Sequence, residues 1–91
     1  MGVQCYNTCM AIRSVLEQNN VLILTLDDGT IAMPFKVRLS DHVERTKWLT
    51  EHIGMSAFYY FATTDNRWCF WTGDYWFVNE HDAVLFKLRF G

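Results

Sequence analysis

The stretch FYYFATTDNRWCFWTGDYWFV, residues 58–78, holds ten of the chain's fifteen Phe, Trp and Tyr side chains in 21 positions. Successive side chains of a strand point to opposite faces, and here neither alternate set is polar. Phe58 and Tyr60 oppose Tyr59 and Phe61, Trp68 and Phe70 oppose Cys69 and Trp71, and Tyr75 and Phe77 oppose Trp76 and Val78. Any fold must therefore cover both faces of these strands or display aromatic rings. Each ring covers about 150–250 Å². A chain of 91 residues is read as a single domain, residues 1–91, with one core. One helix cannot hide ten rings, so some are expected on the face that an antiparallel sheet leaves to water.

The rest of the chain reads mainly as strands. AIRSVL alternates loosely, QNN turns, VLILTL is a continuous apolar run, DDG turns again, and TIAMPFKV places Ile31, Met33, Phe35 and Val37 on one face. Cys5, Cys9, Ile12 and Leu16 also fall at helical spacing, so residues 1–18 accept either state, with the strand preferred. Gly29 in the DDG turn tolerates positive φ. Pro34 has no N–H for a ladder, which implies a free edge or a bulge there.

SDHVERTKWLTEHIG carries the clearest helix signal, over residues 41–53. Asp41 is placed to cap it, Glu44 to complete a capping box, and Gly54 to end it. Val43, Leu49 and Ile53 share one side of the wheel, and Trp48 lands roughly opposite, beside Glu44, Arg45, Glu51 and His52.

After the helix, AFYYFATT, RWCFW, YWFVN and AVLFKLRF read as strands separated by the turns TDN, TGD and EHD. The expected fold is therefore α+β, with six to seven mainly antiparallel strands and one helix between the third and fourth. An OB-like barrel and a strongly curved open sheet both accept this order. Residues 1–10 are expected to be loosely ordered or to lie as a cover on the sheet.

Composition narrows the function classes. The formal charge is −2, without long runs of either sign, which argues against non-specific attachment to duplex DNA or anionic membranes. No run of about 18 uncharged apolar residues occurs, so no membrane partner is expected. The segment MGVQCYNTCM lacks the pattern of a signal peptide, and Cys5, Cys9 and Cys69 cannot all pair within the chain; reduced thiols in a cytoplasm are expected. His42, His52 and His81 are scattered, and no Walker loop, GxGxxG, HExxH or GxSxG occurs. The C-x3-C spacing of Cys5 and Cys9 has no second matching pair. Neither catalysis nor a metal or other cofactor is expected.

The expected role is that of a small interaction module that binds another protein through an aromatic-rich β surface. Exposed Trp and Tyr with a few Arg are the usual energetic anchors of such surfaces. The residues expected on it are Tyr59, Trp71 and Trp76, with Trp48 on the rim and the cations Arg67, Lys87 and Arg89 beside them. Inhibition of a larger nucleic-acid-handling or defence enzyme falls within that class. One alternative is an OB-like single-stranded nucleic-acid-binding module, with Arg67, Lys87 and Arg89 tracking the backbone beside Trp71 and Trp76. The other is a homodimer in which a second copy covers the aromatic face.

Overall fold

The computed structural model describes residues 12–58 and 62–91. Strands β1 (Ile12–Gln18), β2 (Val21–Leu26) and β3 (Gly29–Met33) form an antiparallel meander, sheet 1. The β1–β2 hairpin closes through Asn19 and Asn20, at φ 55° and 62°. Asparagine tolerates this left-handed region, and the two-residue turn matches the twist of the flanking strands. Register shifts between Ile12 and Ser14, leaving Arg13 without a pairing partner across the ladder; its guanidinium ion-pairs with Asp27 in the next turn. Gly29 has φ 152°, and a Cβ there would come within 3.0 Å of Thr64 Cγ2.

Pro34 is a corner. The run TIAMPFKV leaves sheet 1 after Met33 and resumes as β4 (Phe35–Val37) in a second sheet. Having no N–H to donate, proline suits the point where one ladder ends and another begins. Strand β4 pairs with β6 (Asp74–Phe77), which pairs with β5 (Trp68–Trp71), both antiparallel. The β5–β6 turn is Thr72-Gly73, at φ 48° and 88°.

Helix α1 (Val43–His52) lies within the residues expected to be helical, but it follows the fourth strand and not the third, because Pro34 divides the expected third strand in two, and its cap differs. His42 Nδ1 accepts from the Glu44 N–H at 3.1 Å, while the Asp41 carboxylate faces the Tyr75 hydroxyl at 3.4 Å. Gly54 ends the helix at φ 135° and donates its N–H to the Leu49 carbonyl. The helix buries Leu49 and half-buries Trp48 and Ile53; Val43, expected inside, is exposed.

The largest correction concerns the last segment. AVLFKLRF is not a strand but most of helix α2 (Glu80–Phe90). Its period-two apolar set, Val84, Phe86, Leu88 and Phe90, coexists with a helical set, Ala83, Phe86 and Phe90, and the helical set is the one turned inward. Glu80 and Asp82 in the first turn and Lys87 and Arg89 in the last complement the helix dipole. A second correction concerns residues 56–63. Ala57 and Phe58 form a turn, Ala62 and Thr63 are irregular, and the centre of the expected strand lies outside the described residues. The TDN turn is present, with Asn66 Oδ1 accepting from the Thr63 N–H at 2.7 Å.

Among the described residues the fold is therefore α+β with two three-stranded antiparallel sheets and two helices, not a closed barrel. Leu22, Leu24, Leu26, Ile31 and Met33 of sheet 1 pack against Cys69 and Trp76 on one face of sheet 2. On its other face Val37, Trp68, Tyr75 and Phe77 pack under Leu49, Ala83 and Phe86 of the helices. Sheet 2 is a middle layer, which is why neither alternate set of its residues is polar. All four residues of β6 are buried.

Candidate docking surface

The middle position of sheet 2 takes Trp76 out of the expected aromatic surface. Trp76 is fully buried between the sheets, with its indole N–H directed at the Trp71 carbonyl at 3.4 Å and the Lys36 ammonium 5.2 Å from its ring centroid. It cannot meet a partner without unfolding. Trp71 is half-buried against the same core and stacks on Phe58, with centroids 5.6 Å apart. Trp48 is half-buried too, stacked on the His52 ring at 4.5 Å and edge-on to Phe90 at 5.9 Å. Tyr59 lies outside the described residues.

The expected cations scatter. Arg67 forms a two-pronged pair with Asp82, both hydrogen bonds 3.1 Å long, and so ties the start of β5 to the first turn of α2. Arg89 lies over Phe90, 5.2 Å from its centroid, and Lys87 is solvent-exposed on α2. Trp71 and Trp76 face sheet 1, whereas Lys87 and Arg89 belong to the helix covering the opposite face of sheet 2. A groove combining those rings with those cations is not assembled.

Buried polar groups serve packing. Cys69 lies 3.7 Å from the Met33 sulfur, and burial pushes its thiol pKa up to about 12, which keeps it protonated and unreactive near neutral pH. The Tyr75 hydroxyl is also raised, first by burial and further by the Asp41 carboxylate, against the backbone hydrogen bond at His42. The Asp74 carboxylate is buried, and the Arg38 Nε stands 3.2 Å from its Oδ1. That atom accepts no hydrogen bond within the protein. Among the described residues, no three His, Cys, Asp or Glu side chains gather closely enough to hold a metal ion. No helix among them is long and apolar enough to cross a membrane.

The surface feature that sequence reasoning missed is on α2. With Ala83, Phe86 and Phe90 turned inward, Val84, Leu85 and Leu88 are left outside, 48%, 42% and 79% exposed. Residues three or four apart adjoin on a helix, so Leu88 contacts the positions of both others and the three form a ridge. Beside it runs an open groove of about 240 Å³ between α2 and β4, lined by Pro34, Phe35, Lys36, Val37, Glu80, Ala83, Val84 and Lys87. Beyond β4 no further described strand pairs with sheet 2. The signal was present in EHDAVLFKLRF: wound as a helix, it has more apolar residues than one inward stripe can use. Read as a strand, the same residues fall on its two faces and the surplus disappears.

Compared with protein-family models, with curated proteins and with solved structures, the chain finds no match.

Proposed function

We propose that this chain is a non-enzymatic interaction module that docks another protein chain on the outward ridge of α2 and the adjoining groove against β4. The observation that carries the reading is the exposure of Val84, Leu85 and Leu88 on a helix whose inner stripe is already filled. Isolated exposed apolar residues are ordinary on a protein surface, but a contiguous apolar ridge beside a groove is the form that helix-mediated docking takes. Glu80 and Lys87 at its margin supply the polar rim such surfaces use for orientation. Covering the surface of a larger enzyme, and so inhibiting it, is an activity a module of this kind performs without chemistry of its own.

The test is affinity capture from the cells in which the chain is made, comparing wild type with a Val84→Glu, Leu88→Glu double variant of unchanged circular dichroism. Both positions face solvent, so the fold is expected to survive. Selective loss of a captured protein in the variant is the expected result; equal recovery by both forms refutes this surface.

A further inference from the structure

We infer that the α2 ridge takes a second copy of this chain, the two α2 helices packing antiparallel about a two-fold axis. The inference rests on the docking reading above and names the partner.

Charge placement carries the argument. Glu80 and Lys87 both line the groove beside β4, so they lie on the same flank of the ridge. They are two helical turns apart, about 10 Å along the axis. When a helix meets its own copy across a two-fold axis, each flank faces the same flank of the other copy with chain direction reversed. Glu80 of each copy then stands opposite Lys87 of the other, and the contact repeats by symmetry. Val84 lies near the axis and Leu88 reaches over the first turn of the second copy. A parallel pairing would set this flank against the opposite flank of the other copy, so Glu80 and Lys87 would not meet across it. The charges alone have another explanation, since acidic first turns and basic last turns stabilise any helix. That explanation leaves the exposed Val84, Leu85 and Leu88 without a role, whereas the two-fold pairing uses both features.

Ridge-to-ridge contact of one helix with another covers less than the roughly 800 Å² per partner of a stable complex. The expected dimer is therefore weak, with a Kd of about 10–500 µM.

The measurement is sedimentation equilibrium of the full chain from about 10 µM to 1 mM, at about 50 mM and 500 mM salt. The mean mass is expected to rise from one chain towards two with concentration, less so at high salt. Glu80→Lys and Lys87→Glu, each alone, turn both symmetry-related attractions into repulsions and are expected to weaken dimerisation about tenfold or more. Mixing the two variants in equal amounts restores opposite charges on both contacts and is expected to recover the dimer. These substitutions are on exposed side chains, so the mixture serves even if Leu88→Glu disturbs the fold. A constant monomer mass up to about 1 mM overturns the inference, as does a dimer indifferent to both single reversals. If the monomer result accompanies loss of capture in the ridge variant, the docking reading stands and only the identity of the partner falls; if capture is also unchanged, both fall.

Discussion

The Cys69 thiol lies between the two sheets, and its pKa is pushed from the ordinary 9.0 up to about 12 because burial disfavours the thiolate. Through linkage this becomes a statement about stability. The folded-state value exceeds the unfolded one, so the unfolded chain loses this proton first as pH rises. The stability held by the neutral thiol is complete below about pH 9 and declines as pH rises towards 12. The Tyr75 hydroxyl is shifted in the same direction from its ordinary 10.0. The urea midpoint is expected to be level between pH 7 and 8.5 and to fall above pH 9, less steeply in Cys69→Ala. Parallel curves for the two proteins would contradict this origin. At the residue scale the sequence was a partial guide. It left Cys69 as a reduced thiol with no assigned place in the core, and it placed Gly54 at a helix end. It set Trp76 on the surface because nothing in a single strand says which of two apolar faces is covered, or whether both are.

Among the elements, the β5–β6 hairpin stores strain at Thr72, a β-branched residue at φ 48° followed by Gly73 at φ 88°. Left-handed backbone costs a non-glycine residue about 1–2 kcal/mol, and asparagine meets it with less strain, as at Asn19 and Asn20. Thr72→Asn converts the turn to Asn-Gly and is expected to stabilise the protein by about 1 kcal/mol, raising Tm by several degrees. A lower Tm would show that the Thr72 side chain makes a compensating contact. Elements whose signals are local, such as the Asn-Asn turn, the DDG turn and the Gly54 stop, were legible in the sequence. α2 was not, because its apolar residues satisfy period 2 and period 3.6 together. Its acidic start and basic end were the local signs of a helix. What the helical form gains is the burial of Phe86 between Tyr75, Phe77 and Trp48, at centroid distances of 4.7, 5.4 and 6.1 Å.

For the whole molecule, the layering makes a sharp distinction between a packing tryptophan and a docking one. Trp76 fills the space between the sheets, so Trp76→Ala is expected to cost about 3–5 kcal/mol in chemical denaturation. Under conditions where the variant stays folded, capture and self-association through the α2 ridge are expected to be unchanged. The reverse pattern, with stability intact and binding lost, would return Trp76 to the surface role that strand alternation suggested. Both cores share β6, whose Tyr75 and Phe77 face the helices while Trp76 faces sheet 1. An unfilled space on either side therefore weakens the strand on which the other side is built.

Alternation and turn chemistry alone were enough to establish a mainly antiparallel α+β chain, a helix within residues 41–53, and a C-terminal half whose strands need cover on both sides. Those properties follow from contacts between near neighbours in the chain. Three-dimensional packing chose the covers: sheet 1 on one side of sheet 2, and on the other α1 together with a second helix in place of the expected last strand. It also decided that the surplus apolar side chains would emerge on α2 and not among the indoles. Such choices depend on Leu24 meeting Trp76 on one side of sheet 2 and Trp48 meeting Phe86 on the other, across long separations in sequence, and no periodicity within a single segment reports them.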